Sequence, residues 1–418
     1  MDRWLNGNWG QRLRELLRRM WLRVTLFSLS GVALAALAWW VGPYLPYVPE
    51  IELASGSVDA LLNIVASSML TVTTFSMSII VGAYGSATTS ATPRSNTLLA
   101  ADPAAQNAVS IFIGSFLFSI VGIIGLSAGL YADQARVLLF VAALIDILLI
   151  AWALLRWVDH LNSFGRVSDI IARIEAVADE AAALYRDSPT LGAMPVELRG
   201  GITGPALVGK RAGYVRFIDM AGLNGLADKH GIEVEILRMP GKYVHRDEPL
   251  LRVSQPVPLE VGASLCDEFE IGDTRSFDQD LRYGMIVLSE VASKALSAAV
   301  NDPGTAVDVL RAGSRVLETL HAPRDGGPEP GQRPGARQVV EHTRLRAPGM
   351  DVAELYREFY GPILRDGAGT AEVVQTLIDG LEMLARCGEA APARRLLNDA
   401  RVRSDAELTQ GWERKMVG

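Results

Sequence analysis

The sequence predicts an α-helical membrane domain of four transmembrane helices with both termini cytoplasmic, followed by a mixed α+β cytoplasmic domain that contains a small barrel-sandwich-like β unit. Three observations predict it. Four apolar runs reach the length of about 20 residues that a helix needs to cross a bilayer. Arginines cluster before the first run and after the last. Beyond about residue 191 the pattern changes to short alternating strands and then to amphipathic helices. The composition agrees: over 418 residues, 49% hydrophobic and 21% charged, mean hydropathy is +0.20.

The four runs are Val24–Val41, Val58–Tyr84, Ala108–Leu130 and Val137–Val158. Gly42-Pro43 ends the first, Ala101-Asp102-Pro103 precedes the third, and Tyr131-Ala132-Asp133-Gln134 separates the third from the fourth. Residues 1–23 carry Arg3, Arg12, Arg14, Arg18, Arg19 and Arg23 and read as a basic amphipathic segment at the membrane surface. The loop 43–57 has no Lys or Arg, whereas Arg156, Arg166 and Arg173 follow the fourth run. Positive charge stays on the cytoplasmic side, so both ends are placed there, in an inner membrane. Trp21, Trp39, Trp40, Trp152 and Trp157 lie near run ends, where aromatic anchors belong. The expected organisation is 1–23, a four-helix domain 24–158, a connecting helix 159–190 that continues the fourth span, a β-rich subdomain 191–275, and a mostly helical subdomain 276–418 with a flexible linker over 322–338.

The second run is the unusual one. At about 100° per residue, Asn63, Ser67, Thr71, Thr74 and Ser78 share one face within an arc of about 80°. Two readings stay open. Hydroxyls let helices pack closely and hydrogen-bond across, or they line a polar path in place of a hydration shell. Asp146, in the middle of the fourth run, is an intramembrane ionisable group, costly unless protonated, paired or bound to a cation. The glycines and serines of the third run suit close helix contact. After the second run the stretch from Gly85 to Ser95 reads as a small polar loop, whose single charge, Arg94, positions it on lipid headgroups or at a pore mouth.

In the soluble part, Gly213–Asp219 alternates like a strand, Leu223–His230 reads as a helix, and Ile232–Arg238, the turn Met239–Lys242 and Tyr243–Val253 form a hairpin-like unit. This rhythm looks like half of the barrel-sandwich of lipoyl and biotinyl carriers, but Lys229 sits in a helical stretch rather than at a hairpin tip, so no carrier role follows. Arg275, Asp280, Arg282, Asn301, Asp302 and Thr305 supply enough charge for a cytoplasmic ligand or subunit-contact site. Asp302 before Pro303 is equally explained as a helix cap. The two cysteines and five histidines are scattered, so no disulfide framework, metal site or cofactor is expected. A net charge of −7 gives no sign of nucleic-acid binding.

Arg3-Trp4-Leu5, Ser68-Met69 with Val72 and Phe75-Ser76, Pro93-Arg94, Gly213-Tyr214-Val215 with Ile218-Asp219, and Pro240-Gly241 with Val244 form one set of motifs. Arg275, Asp278-Gln279-Asp280, Gly284, Ala295-Leu296-Ser297, Asn301-Asp302-Pro303 and Thr305-Ala306 form a second. Together they resemble the bacterial predicted-membrane-protein family known as domain of unknown function 2254. The chain departs from that pattern at Ser276, where the family has threonine, and at Ala298, where proline is usual. The resemblance implies topology and assigns no chemistry. From the residues themselves, the expected function is a homo-oligomeric ion channel or channel-like conduit, its partners being the lipid bilayer, further copies of itself and inorganic ions. The alternative is a non-conducting scaffold or sensor whose soluble domain binds a partner or small ligand. An enzyme is not expected, because no activated nucleophile or base is recognisable.

Overall fold

The computed structural model describes residues 20–41, 55–131, 133–323 and 340–417. The basic segment up to residue 19, the loop over 42–54 and the linker over 324–338 lie outside the described residues. The chain divides into two compact units: one holds the described residues up to Thr89 and Asn96–Asp169, the other Ser90–Ser95 and the chain from Ile170 onward.

The first unit contains α1 (Met20–Val41), α2 (Ser55–Ser90), α3 (Pro103–Ser127) and α4 (Asp133–Leu161). All four are long and apolar enough to cross a membrane. A single helical turn, Asn96–Ala100, precedes α3. Asp102 caps α3 by accepting from the Ala105 amide at 2.7 Å, with Pro103 in the first turn. Helices α1 and α3 pack on glycine: a Cβ on Gly31 would lie 2.7 Å from the Gly114 carbonyl oxygen. Such closeness is how transmembrane helices gain contact where lipid removes the hydrophobic drive. Ala35, Ala38, Val58, Leu62, Phe118, Leu139 and Ala143 form the core of this unit, and the Tyr131 hydroxyl donates to the Ala35 carbonyl at 3.0 Å.

Two boundaries differ from the sequence expectation. Helix α2 runs on to Ser90, so residues 85–90 are helical rather than loop; Thr88 and Thr89 bond back to the Tyr84 and Gly85 carbonyls, absorbing the polar groups that suggested a loop. The helix after the fourth span is not its continuation. Helix α4 ends at Leu161, Gly165 turns the chain at φ +76°, and α5 (Val167–Asp187) begins after it. A Cβ at Gly165 would stand 2.9 Å from that of Ala83, so backbone conformation and space both favour glycine there.

In the second unit, α5 buries Ile170, Ile174, Ala178, Ala181 and Tyr185 at helical spacing. Strands β1 (Ala193–Pro195), β2 (Ala206–Val208), β3 (Gly213–Ile218), β4 (Val234–Ile236), β5 (Tyr243–Val244), β6 (Pro249–Val253), β7 (Phe269–Gly272) and β8 (His342–Ala347) form two sheets. A mixed five-stranded sheet runs β1-β8-β4-β6-β2, and an antiparallel three-stranded sheet runs β5-β3-β7. The hairpin-like unit divides between them. Ile236 pairs with Leu251 in the first sheet, while Val244 pairs with Gly213 in the second. Helices α6 (Met220–Lys229) and α7 (Leu259–Asp267) flank the strands. The helical part comprises α8 (Leu281–Ala295), α9 (Pro303–His321), α10 (Val352–Gly367), α11 (Ala371–Cys387), α12 (Ala390–Glu407) and α13 (Gly411–Val417). Its core is aromatic. Phe359, Tyr356 and Tyr360 of α10 are fully buried, and Gly313 of α9 lies flat against the Phe359 ring.

Candidate functional site: the polar faces of the spans and the head of helix α8

All five stripe residues, Asn63, Ser67, Thr71, Thr74 and Ser78, are exposed on the single chain. The face of α2 that the unit buries is mostly apolar, with Val58, Leu62, Val65, Ala66 and Met69, and includes Ser76. The stripe does not pack against the described residues. Three of its hydroxyls are satisfied along their own helix. Ser67 donates to the Asn63 carbonyl at 2.9 Å, Thr71 to Ser67 at 3.0 Å and Thr74 to Leu70 at 2.5 Å. The Asn63 amide donates to the Asp59 carbonyl and carboxylate. With their hydrogens directed at the helix backbone, these groups turn oxygen lone pairs outward.

Asp146 of α4 faces α3, where the Ser115 hydroxyl donates to its Oδ1 at 2.6 Å. Trp157, expected as an interfacial anchor, is instead buried against the rings of His160 and Phe164. His160 Nε2 lies 3.1 Å from Oδ1 of Asp102. Asp102, a boundary residue by sequence, carries the same Asp-Pro signature as Asp302-Pro303, which marks a buried cap in the first case and an exposed one in the second.

The soluble residues fall into two groups. Asp280 caps α8 through the Tyr283 amide and takes a two-pronged bond from Arg275 at 2.7 and 2.8 Å. Gly241, at φ +86°, lies so close that a Cβ would meet the carboxylate at 2.3 Å. The Arg275 guanidinium also stacks on Tyr283. Arg282 binds Glu354 at 2.8 Å and forks onto Glu358. Asn301, Asp302 and Thr305 sit past the other end of α8, about 20 Å away along a 15-residue helix. There Asp302 accepts from both the amide and the hydroxyl of Thr305, and these bonds hold its carboxyl below the usual range. Asn301 turns the chain at φ +52°. The structure thus gathers Arg275, Asp280 and Arg282 at the head of α8 and separates them from the other three. Elsewhere, burial and the neighbouring Asp219 and Asp267 push Glu268 up to about 7.

The connector after α2 supplies a contact that the sequence did not disclose. Thr92 donates to Glu290 of α8 at 3.1 Å, and Arg94 pairs with the same carboxylate at 2.5 Å. Arg94, expected at headgroups or a pore mouth, is therefore held by protein.

Four apolar helices long enough to span a bilayer, followed in the chain by a mixed α/β unit with two sheets, define a membrane protein. The chain belongs to the family described as predicted membrane protein (DUF2254), whose model matches residues 18–383. No curated protein and no solved structure is significantly similar to it.

Proposed function

We propose that the chain assembles into a homo-oligomeric cation conduit of the bacterial inner membrane. The stripe of α2 from each copy would line the path, and the cytoplasmic soluble unit would govern assembly or gating. The observation that carries this reading is the exposed row of α2, in which the hydroxyl hydrogens of Ser67, Thr71 and Thr74 are engaged by the helix's own carbonyls. Oxygen lone pairs facing outward suit a cation and offer nothing to an anion. A single four-helix unit is small for enclosing a continuous path within one chain, so symmetric assembly is the economical way to surround one. The arginine-rich flanks of the first and fourth spans support cytoplasmic termini.

The test is to purify the full chain in detergent, determine its oligomeric mass, and measure alkali-cation flux after reconstitution into liposomes. The variant Thr71→Val with Thr74→Val keeps shape and removes two oxygens. It should leave the oligomer intact and lower flux about tenfold, equivalent to about 1.4 kcal/mol at the barrier. A folded wild-type oligomer that passes no ion across several cations and voltages would overturn the conduit and leave the non-conducting scaffold or sensor in its place.

A further inference from the structure

We propose that Asp146 is the anionic ligand of a monovalent-cation site between α3 and α4, completed by the hydroxyls of Ser115 and Ser119. Only one oxygen of the carboxylate is accounted for. Oδ1 accepts from Ser115 at 2.6 Å, while Oδ2 is shielded from solvent and meets no hydrogen-bond donor among the described residues. A second buried group is in the same condition: Ser119 is 0% exposed and its hydroxyl has no partner among the described residues.

The helix register brings these two groups together. Ser115 meets Asp146 on α4, and Gly122, seven residues on, packs on Leu139 of the same helix. Two contacts that step in opposite directions by the same number of residues define an antiparallel pair, and Ser119 lies between them on the shared face. The register sets it level with Ala142, which is small and buried like the neighbouring Ala143. The register therefore sets Ser119 opposite a small side chain of α4, one turn from Asp146.

Charge decides the class of ligand. An ionised carboxylate within a span needs a counter-charge. On α4 the nearest basic residues are Arg136 and Arg156, each about 15 Å away along the helix. Helix α3 carries no ionisable residue at all. On α1 the only one is Arg23, which binds Asn107, and on α2 the acidic Asp59 is engaged by Asn63. One negative charge without a protein partner matches one positive charge. A divalent ion beside this single carboxylate would leave one positive charge uncompensated away from water. Ser115 suits the role, because a hydroxyl that gives its hydrogen to the carboxylate keeps a lone pair for the ion.

This site does not rest on conduction by α2, and its test needs no flux. The full chain in detergent is melted in sodium, potassium or choline chloride at equal ionic strength and fixed pH. Expected is a saturable rise in melting temperature with one alkali cation over choline. The rise should be absent in Asp146→Asn, and Ser119→Ala should shift its half-saturating concentration upward about tenfold. Equal melting in alkali and choline salts overturns the proposal, as does an alkali-dependent rise that survives in Asp146→Asn. Should Asp146→Asn fail to fold, an unchanged half-saturation in Ser119→Ala overturns it as well.

Discussion

Helix α2 and helix α8 satisfy their polar side chains in opposite ways. On α2 the hydroxyls of Ser67, Thr71 and Thr74 bond three or four residues back along their own helix. At α8 the polar side chains reach beyond the helix: the capping Asp280 to Arg275, Arg282 to Glu354 and Glu358, and Glu290 to Thr92, 198 residues away in sequence. Local bonds leave a face available for something else. Long-range bonds fix the fold and leave little for a ligand. The residues with the richest motif pattern, Arg275 to Gly284, are therefore those most fully used by the protein itself, and the plain Ser/Thr row is the one still open.

The contrast would break first at Asp280. Replacing it with alanine strands the Arg275 guanidinium and removes the cap of α8. The loss of one partner from a buried pair costs about 3–5 kcal/mol, read as a large fall in the unfolding midpoint of the full chain in detergent. A fall no larger than the roughly 0.5 kcal/mol of a surface change would show that the head of α8 is not structural. Asp302→Ala should cost less, about 0.5–2 kcal/mol, because it removes an exposed cap. The sign with pH follows from its depressed carboxyl. The cap's contribution is present above the ordinary carboxylate value and fades as pH falls through the lowered one. Stability of the wild type and the alanine variant should therefore converge in acid and diverge near neutrality. Smallest of all is Thr71→Val, expected to change stability by less than about 0.5 kcal/mol. A large destabilisation by that substitution in a dissociated protomer would mean that the stripe packs after all.

The spans were legible in the sequence because apolar length is a local property, and so were the helices of the soluble unit. In α9, Ala306, Val309, Leu310, Gly313, Val316 and Leu317 repeat at helical spacing, and all six are buried. Strand β3 was visible from its alternation. The misread features depend on contacts distant in sequence. The hairpin-like unit divides because β3 offers Val244 an antiparallel partner thirty residues upstream. Arg94 finds Glu290 across the chain. The break at Gly165 carried a local hint, a glycine after Asn162-Ser163-Phe164, but the apolar and Ala-rich stretches on either side outweighed it. Of the candidate sites, the stripe was legible as a row, while its outward face was not, because periodicity tells which residues share a side and not what that side meets.

Helix α2 has 36 residues, so it is a rod about 54 Å long in a hydrocarbon layer of about 30 Å. Even at a tilt of about 40°, the steep end of what spanning helices adopt, about 15 Å of its length overhangs the layer. A rod of this length is a lever. A rocking of about 10° about one end carries the other end sideways by about 9 Å, so a small change of tilt at one end of α2 is a large displacement at the other.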